Sequence, residues 1–185
     1  MLKSAWQLLG DYLKDTQLLG SIQNTLYWDQ NTSMPAAGST WRGEQLSLLA
    51  KQLHERQSCE EFEILINNAK AELPNLKGKD YLGSQLLTDR FRNIELLEQD
   101  FKRQKKLDPK LVVELATAKS EGYMSWQEAR ENNDFKSFSP ALKKLILLRK
   151  EQSNQLSEER SCWETLAQPF EPNLTINRTK ELFEP

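Results

Sequence analysis

The chain has 185 residues, 28% of them charged, and a formal net charge of −2, which allows one domain with a real core. That charge excludes a basic field for nucleic acid or an anionic membrane surface, and no apolar run of eighteen or more residues could span a bilayer. Met1 to Trp6 runs straight into Asp11 and Asp15 without the apolar core of a secretory signal, and Cys59 and Cys162 stand apart, so reduced thiols in a cytoplasmic protein are expected.

With only seven glycines and seven prolines, and many Leu, Glu, Lys and Gln, helices should dominate. Leu2, Trp6, Leu9, Leu13, Leu18, Leu19, Ile22 and Leu26 recur at helical spacing. They predict a first amphipathic helix, loosened near Gly10 or Gly20 and ending before Met34-Pro35. A second helix places Leu46, Leu49 and Leu53 on one face. Ser58-Cys59-Glu60-Glu61 has the form of a capping box and opens a third helix with Phe62, Leu65, Ile66 and Ala69 buried. Pro74 to Gly78 breaks that helix. A long helix is expected from about Lys79 to Lys106, with Leu82, Leu86, Ile94, Leu97 and Phe101 inward. Asp108-Pro109 reads as an N-cap followed by proline at the first helical position, and Ser139-Pro140 reads as the same device. Leu111, Leu115, Ala118, Met124 and Trp126 lie on the first of these two helices, and Leu142, Leu145, Ile146 and Leu148 on the second. After Trp163 the chain loosens through Pro169-Phe170-Glu171-Pro172, and Thr175 caps a last short helix. No convincing strand alternation occurs, so the expected class is all-α, with residues 1–185 forming a single helical region.

The chemistry-bearing residues are few. A catalytic zinc takes three protein ligands and keeps one position open. The helical form H-E-x-x-H presents two imidazoles on one face. His54 is the only histidine; Glu55 follows it, but position 58 is serine, so the second imidazole is missing. His54 is expected to be a partly exposed residue near a helix end. Cys59 and Cys162 lack a sequence-adjacent histidine and are expected to be structural. No G-x-S-x-G elbow or phosphate loop is present. Glu60, Glu61 and Glu63 complement a helix dipole. Asp29, after Tyr27 and Trp28, either caps a helix or pairs with an arginine such as Arg42, or else lines a cleft. Trp28 is expected to be largely buried. The cluster Tyr123, Trp126, Phe135 and Phe138 is read as core packing, with a binding platform as the alternative, and Arg130 as a donor to helix-end carbonyls.

Four blocks in order give this chain a specific likeness. Leu26-Tyr27-Trp28-Asp29-Gln30 with Met34-Pro35, then Arg42, then Trp126-Gln127-Glu128-Ala129-Arg130 with Asp134-Phe135 and Phe138-Ser139-Pro140, and finally Phe170-Glu171-Pro172 with Thr175 and Leu182-Phe183 resemble the N-terminal part of the Taq-type zinc metallocarboxypeptidases. The resemblance implies the elongated N-terminal lobe of a two-lobed helical metallopeptidase. It also implies zinc-dependent removal of C-terminal residues from peptides, and a homodimeric assembly. The family's H-E-x-x-H and further glutamate ligand match no position here. The expected assignment is therefore no catalytic, cofactor-binding or metal residue in this chain, and zinc only in the full-length family. The resemblance leads to a fragment of a metallocarboxypeptidase, inactive alone, that self-associates or pairs with a complementary catalytic fragment. A stand-alone helical binding or dimerisation module and an unrelated scaffolding bundle are the other readings. No nucleic-acid or membrane partner is expected.

Overall fold

The computed structural model describes residues 2–75, 81–156 and 159–184, the side chains of residues 75 and 81–84 excepted. Among the described residues the secondary structure is helical throughout. The α-helices are α1 (Ala5–Thr32), α2 (Ser39–Ser58), α3 (Glu60–Glu72), α4 (Tyr81–Lys105), α5 (Pro109–Glu131), α6 (Phe135–Leu156), α7 (Cys162–Ala167) and α8 (Ile176–Phe183). No described helix is long and apolar enough to cross a membrane.

Local chemistry sets most of the boundaries. Ser4 caps α1 in a reciprocal box with Gln7, and the N–H of Trp6 finds Glu72 at the end of α3, 3.1 Å away. The helix runs unbroken past Gly10 and Gly20; two isolated glycines cost about 1 kcal/mol each in propensity, too little to interrupt a helix packed against its neighbours. Asp108 caps α5 through the N–H of Lys110 at 2.8 Å, with Pro109 at the first helical position. The other end of α5 closes with Asn133 at φ 52°. The N–H of Asp134 bonds Ala129 and that of Asn133 bonds Arg130, a left-handed stop of the Schellman type. Thr175 caps α8 through Arg178.

Two expected starts do not form. Ser58 ends α2 instead of capping α3, and its hydroxyl donates back to the carbonyl of His54. The residue before α3 is Cys59, with no side-chain cap. Serine in a continuing helix bonds its own preceding turn as readily as it caps the next. Ser139-Pro140 lies inside α6, which begins at Phe135. The cap there is Asp134, accepting from the N–H of Lys136 at 3.0 Å. Pro140 removes the N–H that would meet the Lys136 carbonyl, and both residues are exposed. α7, capped by a Ser161–Glu164 box, occupies a stretch that the sequence reads as loosening chain.

The core lies in two connected regions. Leu9 of α1, Phe62, Ile66 and Ala69 of α3, Leu73 after it, and Ile94 and Phe101 of α4 form one cluster, with Trp6, Leu13, Leu65 and Leu97 packed on its edge. Tyr12 stacks on Phe62 at 5.3 Å between ring centroids, and Phe101 meets Phe62 edge-on at 6.0 Å. The second region is where α2 packs on α5, and α5 on α6. There Leu46, Leu111, Ala116, Ala118 and Leu156 are buried, and small side chains let the helices approach closely. The expected inward positions Ile94, Phe101, Leu111 and Ala118 are buried. Leu2, Leu18, Ile22 and Leu86 are exposed, because a period of three and four names a face without naming its cover. Leu82 lies outside the described side chains, and the expected helix start at Lys79 outside the described residues.

Candidate functional site

The end of α1 and the start of α2 are tied by one guanidinium. Arg42 donates to Asp29 Oδ2 at 2.6 Å, to the backbone carbonyl of Leu26, and to Gln45 Oε1 at 3.0 Å. Its side chain is 11% exposed and that of Asp29 38%. Asp29 thus pairs with Arg42, as one of the sequence readings holds. The Asp29 carbonyl also accepts from the N–H groups of Ser33 and Met34, which turns the chain toward Pro35.

Trp28 is 64% exposed, which overturns the expectation that it is buried. The helix turn that points Asp29 inward to Arg42 carries Trp28 outward, since successive helical residues are about 100° apart. Trp41, the residue before Arg42, is likewise exposed. Trp28→Ala is therefore expected to change stability by no more than about 0.5 kcal/mol, the range for surface positions. A melting curve of the variant checks this.

On the other side of α1, Tyr27, Lys119, Tyr123, Trp126 and Phe138 line a cleft of about 510 Å³ between α1, α5 and α6. Lys119 Nζ stands 4.6 Å from the Tyr27 ring centroid, and burial pushes the Tyr27 phenol above its ordinary pKa. Tyr123 and Trp126 lie 5.8 Å apart, and Arg130 covers the outer face of Trp126. The floor is a buried polar clip. Gln30 Nε2 donates to the carbonyl of Ser120, and Ser120 Oγ donates to Gln30 Oε1 at 3.2 Å. Gly122 lets α6 close the cleft, because a Cβ there would stand 2.9 Å from Leu145 Cδ1. The described lining residues include no carboxylate and no imidazole. The cleft can hold an apolar or aromatic side chain, with a cation at its edge. The aromatic cluster read from sequence as core packing is thus partly a cleft wall, and Trp126 and Phe135 are exposed. Lys119 and the Gln30–Ser120 clip carried no sequence signal. They come together across about ninety residues, and only the small-residue run Ala116, Ala118, Ser120 and Gly122 hinted at close helix packing.

His54 is 3% exposed, and its Nδ1 has no partner among the described residues. This corrects the expectation of partial exposure. Glu55 points away to Lys51, 3.8 Å off. Tyr12 Oη bonds the carbonyl of Arg56 at 2.9 Å and meets Cys59 Sγ at 3.3 Å, while Arg56 lies over the Tyr12 ring. Burial, then the contact with Cys59, raises the pKa of the Tyr12 phenol well above its ordinary value. Cys59 is therefore part of a structural knot between α1 and the α2–α3 junction. Cys162 is exposed in the first turn of α7. Among the described residues no three His, Cys, Asp or Glu side chains converge as a metal site. One buried imidazole with an averted neighbour does not fit the ligand set of a catalytic zinc.

Comparison with known proteins bears on this arrangement. The family model described as carboxypeptidase Taq (M32) metallopeptidase matches residues 8–185. Thermostable carboxypeptidase 1 of Thermus thermophilus is 31% identical over 154 residues, covering 83% of this chain and 29% of that protein. Thermostable carboxypeptidase 1 of Pyrococcus furiosus is 26% identical over 179 residues, covering 96% and 33%. In fold, the crystal structure of BsuCP superposes with a TM-score of 0.86 at 23% identity, over 97% of this chain and 34% of that one. The M32 carboxypeptidase of Deinococcus radiodurans superposes with a TM-score of 0.70 at 24% identity, over the same shares. The chain spans about a third of the length of the curated relatives it matches.

Proposed function

This chain belongs to the carboxypeptidase Taq (M32) metallopeptidase family, and from that premise we propose that it is the N-terminal lobe of a zinc-dependent carboxypeptidase that removes C-terminal residues from peptides. The observation that carries the reading is the family match across residues 8–185. Its own residues contribute structure and surface. The zinc and the donor set that holds it come from the part of the fold this chain does not span, because His54 and the described carboxylates do not form such a set. Alone, the chain is inactive toward peptides. The aromatic cleft between α1, α5 and α6 supports a secondary reading, a stand-alone binding module derived from the same family.

The test is a peptide with a blocked N-terminus, incubated with zinc or cobalt. This chain alone is expected to release nothing. Combined with the remaining part of a family carboxypeptidase, it is expected to release C-terminal residues, and a chelator should stop the reaction. Metal-dependent release by the isolated chain would overturn the assignment of the donor set. Tight peptide binding by the isolated chain, without turnover in either mixture, would favour the binding module.

A further inference from the structure

We propose that the cleft between α1, α5 and α6 binds an aromatic monocarboxylate, with its ring against Tyr123 and Trp126 and its carboxylate at Lys119. This gives the cleft of the secondary reading above a ligand class. Such binding needs neither zinc nor the part of the fold outside this chain, so it stands apart from the lobe reading.

The cavity and its charge select the ligand. A volume of about 510 Å³ falls within the range of small-molecule sites, which combine apolar walls with a few placed polar groups. Deep in the cleft, Gln30 and Ser120 bond each other, so the end of a ligand that enters there needs no polar atom. The rings of Tyr123 and Trp126 are inclined at 39° to each other rather than stacked, and Arg130 covers the outer side of Trp126. An aromatic face toward the cleft is thus left for an incoming ring.

The polar end of the ligand is set by what stands around Lys119. Its ammonium lies 4.6 Å from the Tyr27 ring centroid, and no carboxylate among the described residues pairs with it. An ammonium has three N–H donors, and a ring face engages only one side of it. The nearest acid along α5, Glu121, is taken by Lys144 at 3.1 Å, and Glu131 lines a separate hollow beside Trp126. A second cation, Arg149, acts on the Tyr27 phenol against the effect of its burial. Asn24 and Asn31, seven residues apart on α1, line the same cleft, and their side-chain amides bond no described residue. Cations and amide donors without a lining carboxylate suit an anion and disfavour a zwitterion, whose ammonium would find no partner. Lys119 and Tyr123 are one helical turn apart, about 6 Å along the axis, a span that a two-carbon link between ring and carboxylate bridges.

The test is titration of the full chain with 3-phenylpropionate near neutral pH, read by calorimetry and by ligand-observed NMR. Saturable one-to-one binding is expected. The neutral 3-phenylpropionamide, propionate without a ring, and zwitterionic phenylalanine should each bind at least about tenfold more weakly, the loss expected when a charge-assisted bond or an apolar anchor is removed. Lys119→Met should weaken the acid by at least about tenfold and leave the amide unchanged, while Lys119→Arg should restore most of the affinity. Trp126→Ala should weaken both aromatic ligands, and Lys51→Met, on α2 and paired with Glu55, should change neither. Lys119 and Trp126 are exposed, so circular dichroism should show unchanged helix content. Should Trp126→Ala lose helix, the two Lys119 variants carry the test. Tighter binding of an N-acetyl dipeptide ending in phenylalanine than of 3-phenylpropionate would assign the carboxylate to a chain terminus, and weaker binding would assign it to a free acid. Equal binding of acid and amide, or of propionate and 3-phenylpropionate, would overturn the proposal. So would indifference to Lys119→Met, or no binding up to about 10 mM, beyond which an affinity is too weak to be specific. None of these outcomes alters what the peptide-release assay reads.

Discussion

Phe62→Ala is expected to destabilise the chain by about 3–5 kcal/mol, the range for large-to-small changes in a packed core. Phe62 is buried, stacked on Tyr12 and met edge-on by Phe101, so it joins α1, α3 and α4 at one point. Its removal leaves a cavity bordered by Leu9 and Ile66, whose helices are fixed elsewhere and cannot collapse into it. For a chain of this size each kcal/mol moves the melting temperature by about 2–4 °C, so the drop should be about 6–20 °C by calorimetry. A fall of only a degree or two would mean that α3 is held by contacts other than this cluster.

Arg42→Ala is expected to cost about 2 kcal/mol, because hydrogen bonds to charged groups contribute about 1.5–3 kcal/mol and the partly exposed Asp29 is screened by water. The variant loses the links to Asp29, Gln45 and the Leu26 carbonyl together. Arg42→Lys should recover less than half of the loss, since an ammonium can meet Asp29 but lacks the planar fork that reaches all three acceptors. Urea titrations of the two variants and Asp29→Asn separate these contributions. Equal stability of the Lys variant and the parent chain would show that only charge matters at this junction.

The sequence disclosed what is decided within a few residues. Asp108 and Thr175 were readable as caps because the acceptor and the N–H it serves are two or three residues apart. The stripe Phe62, Ile66 and Ala69 was readable because one helix face carries it. The Asp29–Arg42 pair was foreseen as one option, since a short connection brings the two residues together. What depends on distant packing was not readable. Leu18, Ile22 and Leu86 continue apolar stripes but have no cover, and His54 is buried although its own helix gives no sign of it. Ser58 and Ser139 had the right residue types for caps, but Ser58 is the last residue of α2 and Ser139 lies inside α6. The aromatic cleft needed α1, α5 and α6 to meet, and no spacing within one segment encodes that meeting.

Glu164 has a consequence for how the C-terminal end answers acid. One carboxylate accepts the N–H of Ile176, the hydroxyl of Ser161 and the N–H of Ser161. It thereby closes the first turn of α7 and anchors the first turn of α8. The bond from Ile176 first, then those from Ser161 and the charge of Arg160, hold its pKa below the ordinary glutamate value. The unfolded carboxyl therefore takes up a proton before the folded one does. The stabilisation is complete above the ordinary glutamate range and is lost as pH falls through the lowered folded value. Acidification thus removes one tie from the first turn of α7 and the bond that links it to the first turn of α8, while the packing of α7 on α6, the bond from Arg103 to the Thr165 carbonyl and the Thr175 cap of α8 carry no such dependence on this group.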